Sequence, residues 1–290
     1  MQIIKYKSFF IGLSIALVLL SFGLMNSYGI KKGIDFTGGS VIDITYTGQV
    51  KELTSLMFKD AGIEIYKTGA NTYHLISSKS YEEISPIITS IGNPDNATPF
   101  QFTQVSTVGP TLGAEMTKKA IIAIIVVVFA ILLFIAFSFR EVSVPVSSWK
   151  YGVIAMVTLL HDIIVPTGVY TILSHKYGAE VDTLFIVALL TIIGISISDK
   201  IVVFDRIREN LKLSKKGESF EDVVGKSLIQ TFTRSINTSV TVILALLALF
   251  FFGPVMTKWF TLTLIVGMFV GTYSSIFVAS PLLTVWNNKK

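Results

Sequence analysis

AIIAIIVVVFAILLFIAF, residues 120–137, is an unbroken run of eighteen apolar side chains. A helix rises about 1.5 Å per residue, so about 20 such residues cross a hydrocarbon core of roughly 30 Å. Within that core no backbone polar group can stay unpaired, which leaves a helix as the economical reading. Five more stretches qualify or nearly qualify: Ser8–Met25, Tyr151–Leu173, Thr183–Phe204, Ile236–Phe252 and Trp259–Trp286. Composition agrees, with 51% hydrophobic and only 15% charged residues in 290, and a mean hydropathy of +0.67. These values exceed ordinary globular usage, so part of the chain's solvent is expected to be lipid. The first stretch has the length of a signal peptide, but no A-x-A-like site follows it, and an uncleaved anchor is expected.

The net charge of +5 reads as a topology signal rather than a nucleic-acid signature, because the basic residues are not interleaved with stacking aromatics. Lys and Arg in short loops resist translocation. Lys5 and Lys7 precede the first span, Arg140 and Lys150 flank the link between the second and third, and Lys289 and Lys290 end the sequence. Arg206, Arg208, Lys212, Lys215, Lys216, Lys226 and Arg234 lie between the fourth and fifth spans, whereas the opposite short loops hold only Lys176 and Lys258. Both termini are therefore expected in the cytoplasm. That divides the chain into an N-terminus with the first span (1–25), an extracytoplasmic domain (26–119), and a five-helix bundle (120–290) with a cytoplasmic loop at 205–235.

Inside the external segment, Val41–Thr47 alternates as a strand does, and Val50, Leu53, Leu56 and Met57 then recur with helical spacing. Ile63–Lys67 and Tyr73–Ser77 read as strands. Tyr81, Ile84, Ile87, Ile88 and Ile91 mark a second helix, and Phe100–Val105 a last strand. The order βαββαβ suits a ferredoxin-like split βαβ sheet with both helices on one face. The expected fold class is thus a polytopic α-helical membrane protein of six transmembrane helices, with a small α+β ferredoxin-like extracytoplasmic domain between helices 1 and 2. GIDFTGGS (33–40), with Gly33, Asp35, Gly38 and Gly39, and VGPTLG (108–113), with Gly109, Pro110 and Gly113, bracket the domain. They carry no Walker or Rossmann pattern and are expected to shape its two junctions.

Zero cysteines exclude disulfides, thiol nucleophiles and Cys-ligated zinc, and the three histidines lack HExxH-type spacing, so no metal or cofactor is expected. The sharpest chemical feature is Asp162 in LLHDIIVP (159–166), near the middle of the third span. A carboxylate there costs about 2.5–3.5 kcal/mol on insertion scales, so it must face the bundle or water, or stay neutral. Such a group either carries a proton or hydrogen-bonds between helices. Its neighbour His161 points about 100° away on an ideal helix and fits a packed or interfacial role. In GISISDKIVVFDRIREN (194–210), Asp199 beside Lys200 fits coupled titration, gating or a static pair. Lys200 has the stem to snorkel, and Asp205, Arg206, Arg208 and Glu209 fit local boundary pairing.

Gly267, Gly271, Ser275 and Ala279 form a small-residue stripe for close helix approach. Tyr273, Ser274, Thr238 and Ser239 supply hydroxyls that either hydrate a path or hydrogen-bond between helices. Ser219 with Asp222, followed by Val223, Val224, Leu228 and Phe232, fits a capped interfacial amphipathic helix.

GIDFTGGS, VGPTLG, LLHD, LLTIIGISISDKIVVFDRIREN (189–210), TRSINTSVT (233–241) and VGTYSSIFVASPLL (270–283) occur in the order seen in the SecF family, which this chain resembles along nearly its whole length. The resemblance implies an accessory subunit of the Sec translocase. Its heterodimer partner would be a SecD-like subunit of six further helices, in a complex related to resistance-nodulation-division transporters. It implies proton-driven promotion of protein translocation after the SecYEG channel, with contacts to the translocating polypeptide and to membrane lipid, no nucleic acid and no enzymatic chemistry. The location implied is a bacterial or archaeal cytoplasmic membrane. Asp162 matches the family's LLHD acid and Asp199 the acid of its SINDT motif. Ser198 replaces the usual Asn and Lys200 the usual Thr, which puts the path around Asp199 in question. The competing expectations are a passive assembly subunit, a proton-coupled small-molecule exporter, and an intramembrane hydrolase using both acids.

Overall fold

The computed structural model describes residues 3–47, 53, 55–92, 100–138, 147–214, 217–254 and 257–287. Val50, Arg140, Lys215, Lys216, Lys289 and Lys290 lie outside them. The elements run α1 Lys7–Tyr28, α2 Ile34–Thr37, β1 Gly39–Tyr46, α3 Ser55–Phe58, β2 Ile63–Lys67, β3 Thr72–Ser77, α4 Tyr81–Gly92 and β4 Phe100–Val108. Long helices follow: α5 Pro110–Ser138, α6 Ser148–Tyr177, α7 Thr183–Leu213, α8 Phe220–Phe252 and α9 Lys258–Ser274, the last joined through a π turn, Ser275–Ala279, to α10 Ser280–Asn287. Among the described residues six helical segments are long and apolar enough to cross a membrane, α9 and α10 together making the sixth. The chain packs as two compact units, one of Met1–Gly29, Ala123–Leu173 and Leu184–Lys290, the other of Ile30–Ile122 and Ser174–Thr183.

The second unit holds a four-stranded antiparallel sheet of order β2-β3-β1-β4. Each outer strand therefore neighbours a strand from the other half of the sequence, the split arrangement expected of βαββαβ. Ile42, Ile44, Ile63, Ile65, Tyr73 and Leu75 point to one face and bury against Phe58, Ile84 and Ile88. The alternation of these residues with Asp43, Glu64 and His74 decides which face is dry. The described part of the domain's first helix is a single turn, α3, followed by the 3₁₀ turn Lys59–Ala61, which Gly62 ends at a φ of 70°.

In the membrane unit α6, α7 and the α9–α10 segment are the most buried, and α1, α5 and α8 expose wide apolar faces. Two expectations change here. The polar residues after Phe204 prolong α7 to Leu213, and the segment after Ser219 is not a separate interfacial helix but the first half of α8. No Gly or Pro stands between Phe232 and Ile236, so nothing breaks the backbone ladder. Ser219 does cap the helix, accepting from the Asp222 N–H at 3.1 Å. Val224 and Leu228 lie in a core shared with Ile3, Ile4 and Ile207. Lys7 Nζ donates to Glu221 at 2.6 Å, and Asn210 donates to Ser227 and Gln230 at 2.8 and 2.7 Å.

Candidate functional site: a buried ion pair among the membrane helices

Three helices converge on Asp162. Its side chain and that of Lys200 are both 0% exposed, and Lys200 Nζ lies 2.6 Å from Asp162 Oδ2. Ser196, one turn before Lys200 on α7, donates to the same oxygen at 2.5 Å, and Ser274 of α9 donates to it at 2.8 Å. Lys200 also reaches Ser196 Oγ at 2.5 Å. On the other oxygen, Oδ1, His161 Nδ1 stands 2.9 Å away. A carboxylate only accepts, so the ring carries its proton on Nδ1. Both oxygens of the acid thus meet a donor, three on Oδ2 and one on Oδ1, and such satisfaction is what makes a buried pair tolerable; losing one partner of such a pair costs about 3–5 kcal/mol.

The small-residue stripe explains how the helices come so close. A Cβ on Gly271 would stand 3.2 Å from Ser196 Cβ and Oγ, and one on Gly267 would run into the Ile192 side chain. Farther along, Ser275 opens the π turn and hydrogen-bonds Asp199 Oδ2, while Ser235 of α8 donates to Asp199 Oδ1 at 2.5 Å. Ala279 is fully buried in the unit's core. Ser239 and Thr272 pair at 2.5 Å, so these hydroxyls bond between helices. A crevice of about 250 Å³ lies beside Asp199 and Arg234, lined also by Ser198, Thr238 and Gly271.

The structure therefore parts the two acids. Lys200 does not snorkel and does not pair with adjacent Asp199, because side chains one position apart on a helix diverge by about 100°. It serves Asp162 across to α6 instead. The signal that could have found this is Ser196 and Lys200, four apart on the face that bears Gly271's neighbour. His161, for which a packing role was expected, is a ligand of the acid as well as a ring partner of Tyr273. Of the boundary charges, Arg206 pairs with Glu209 and donates to Gln230 at 2.7 Å, and Arg208 lies 4.0 Å from Asp205.

The junction residues meet one another in the second unit. Gly38 has a φ of 77°, and a Cβ there would lie 2.7 Å from Pro110 Cα; one on Gly113 would lie 2.9 Å from Gly38 N. Gly109 O accepts the Gly113 N–H at 3.1 Å. Gly33 N–H donates to Val181 O at 2.8 Å, Val181 N–H to Lys31 O at 2.9 Å, and Thr183 N–H to Asp35 Oδ2 at 2.9 Å. The loop between α6 and α7 is thus stitched to GIDFTGGS.

Glu180 of that loop faces a charge cluster on the sheet that sequence reasoning missed, since its members are far apart in the chain. His74 Nδ1 is 2.5 Å from Asp43, and Lys31 binds Glu64 at 2.9 Å and Tyr66 at 2.7 Å. Burial pushes the Glu180 carboxyl up to about 7, although nearby His74 pulls it down. Burial opposes the Lys31 ammonium, yet its bonds to Tyr66 and Glu64 outweigh this and raise it.

The model of the SecD/SecF C-terminal family of protein export membrane proteins matches residues 91–289, and that of the SecD/SecF GG motif matches residues 23–50. The chain belongs to the SecF family. It is 39% identical to the protein translocase subunit SecF of Thermobaculum terrenum and 35% identical to that of Anaerolinea thermophila, covering 99% of this chain and 94% of each relative. It is 34% identical to the translocase subunit SecDF of Thermus thermophilus, over 96% of this chain and 37% of that one. The crystal structure of Thermus SecDF, described as a translocon-associated membrane protein, superposes with a TM-score of 0.86 at 31% identity, over all of this chain and 39% of that one. This SecF-family chain is accordingly a multi-pass membrane protein, and its relatives are translocase subunits rather than enzymes.

Proposed function

We propose that this SecF-family chain acts with a SecD-like partner to spend the proton motive force on moving polypeptides that leave the SecYEG channel. The observation that carries the reading is the Asp162–Lys200 pair, 2.6 Å apart and enclosed by α6, α7 and α9. A proton arriving on Asp162 cancels the attraction and leaves an ammonium in a dry site. Hydrogen bonds from Ser196 and Ser274 then lose their charged acceptor. Two helix arrangements of different energy follow, one for each protonation state, and this is the bistable element a motor requires. One charge crossing 100 mV supplies about 2.3 kcal/mol, enough to shift such an equilibrium nearly fiftyfold.

A Thermus relative that joins SecD and SecF in one chain supports the SecD-like partner. The distribution of Lys and Arg supports cytoplasmic termini and an external sheet, with 26–119 as the extracytoplasmic domain and 120–290 as the bundle. In that role Asp162 and Lys200 form the relay, Asp199 with Ser235 and Ser275 lines a second polar site, and Gly267 and Gly271 keep α9 against α7. Gly33, Asp35, Gly38, Gly39, Gly109, Pro110 and Gly113 form the domain's hinge region. Asp205, Arg206, Arg208 and Glu209 brace the cytoplasmic ends.

The test is Asp162→Asn in a reconstituted complex of this chain and its SecD-like partner, in sodium-free buffer. Because this change strands the Lys200 ammonium, the double variant Asp162→Asn/Lys200→Met, which removes both charges, is run beside it as the one expected to assemble normally. Proton flux and potential-dependent stimulation of export are expected to disappear in both. Normal flux and stimulation in either variant would refute the reading.

A further inference from the structure

Among the described residues His161 is the one donor to Asp162 with a second ring nitrogen able to take a proton. Its side chain is 6% exposed, and Nε2 is buried with no hydrogen-bond partner among the described residues. The ring is held on two sides. Nδ1–H is directed at Asp162 Oδ1, and Tyr273 of α9 lies alongside at a ring-centre distance of 6.4 Å. The Tyr273 hydroxyl is already engaged, donating to Phe10 O at 2.9 Å and taking the Ser14 hydroxyl at 3.4 Å, so it does not serve Nε2. The titratable groups facing the ring are Asp162 on its own helix and Tyr273 on α9, with Lys200 of α7 on the far carboxylate oxygen.

A proton reaching Asp162 must come through one of its donors. Ser196 and Ser274 hold their hydroxyl protons too tightly to give them up near neutral pH. Lys200 is fully enclosed and binds the same oxygen as both serines. Among the described donors His161 alone presents a basic atom on the side away from the acid, and that buried acceptor is met by no donor among the described residues.

We propose that His161 is the proton-exchange residue of the Asp162 site, passing protons through its ring between Nε2 and the carboxylate. The inference rests on the proton-coupled reading above. In the step, Nε2 takes up a proton and the Nδ1–H proton moves to Oδ1. An Nε2–H bond and an Oδ1–H bond form, an Nδ1–H bond breaks, and the ring ends neutral beside a neutral acid. After Asp162 passes its proton on, the neutral ring turns about Cβ–Cγ, gives its Nε2 proton to water on the uptake side and takes one from that water at Nδ1 before turning back; the two exchanges on that side cancel, so one proton has moved and the imidazole is unchanged.

The experiment uses the reconstituted complex. His161→Gln keeps an amide donor for Asp162, so the complex is expected to assemble while proton flux falls about a hundredfold, the scale of a lost proton-transfer group. In His161→Ala, added imidazole is expected to restore flux, and thiazole, of similar shape but with no N–H to relay, is expected not to. Flux within twofold of wild type in His161→Gln, or equal rescue by thiazole, overturns the proposal. Loss in Asp162→Asn with normal flux in His161→Gln removes only the His161 relay; normal flux in both removes the underlying reading as well. Should the variants fail to assemble, nitrogen NMR of the wild-type complex decides, with the His161 signal identified by replacing His74 and His175. Protonation on Nδ1 in the resting state is expected, and protonation on Nε2 overturns the relay.

Discussion

The Asp162 site and the cluster around Lys31, Glu64, Tyr66, His74, Asp43 and Glu180 are built from the same kinds of side chain, yet their environments give them opposite character. In the membrane unit the acid and ammonium are both 0% exposed, whereas Lys31 and Glu64 are 40% and 57% exposed. Water and salt screen the second pair, so its geometry contributes at most about 1 kcal/mol and tolerates change. The first pair has no such reserve. Unscreened as it is, the pair is all-or-none, as a surface patch is not.

The largest way to break this contrast is Lys200→Met, which leaves the Asp162 carboxylate buried against neutral donors. It is expected to destabilise the membrane unit by about 3–5 kcal/mol, read as lost complex or a lowered melting temperature in detergent. Adding Asp162→Asn is expected to recover most of that stability without recovering flux. A Lys200→Met chain that melts like wild type would show the pair to be no tighter than a surface one.

Gly38→Val probes whether the second unit's sensitive points are backbone rather than charge. At a φ of 77° and with a Cβ 2.7 Å from Pro110 Cα, the substitution is expected to cost about 1–3 kcal/mol, seen as proteolytic opening of the sheet domain. If it is silent, the crossing of GIDFTGGS and VGPTLG is looser than its geometry.

Glu180 sharpens the comparison through pH. Its carboxyl is raised to about 7 in the folded state, so between the unfolded value near 4.5 and about 7 the native protein binds more protons than the unfolded chain. Stability therefore falls as pH rises through that window, and the penalty is complete above it. Hydrogen exchange at the Val181 and Gly33 amides, corrected for intrinsic rate, is expected to show more protection at pH 5 than at pH 8. Glu180→Gln should flatten the dependence and recover roughly 1–2 kcal/mol at pH 8.

The smallest effect is expected from Lys31→Met, below about 1 kcal/mol and fading further in high salt, measured by the same exchange. A larger loss would mean that the Lys31–Glu64–Tyr66 set holds the loop to the sheet more firmly than exposure allows.

How legible these features were depended on range. The spans of α5 and α6 and the strands β2 and β3 follow local runs and alternation, and the four-stranded order follows from βαββαβ. The ends of α7 and α8 were not legible, since Asp205–Leu213 and Phe220–Ser235 are polar on one side only. Their apolar sides found a shared core with Ile3 and Ile4 that no local window contains. Asp162 stood out because a carboxylate in an apolar run has no local explanation. Its donors on the other helices did not, because Ser196, Lys200 and Ser274 are 34, 38 and 112 residues away, and adjacent His161 was missed because an ideal helix turns it about 100° aside.

By itself the amino-acid sequence determined that the chain spans a membrane, carries a small βαββαβ domain after its first helix, and places one carboxyl where lipid cannot solvate it. Those outcomes depend on residue type and period, which neighbours a few positions apart already express. Only the tertiary structure decided that Lys200 belongs to Asp162 and not to Asp199, that His161 completes the acid's shell, and that the α6–α7 loop joins the sheet unit. Those depend on which faces meet in space. A charge in a dry interior takes the partner that packing brings within about 3 Å, whatever stands beside it in the chain.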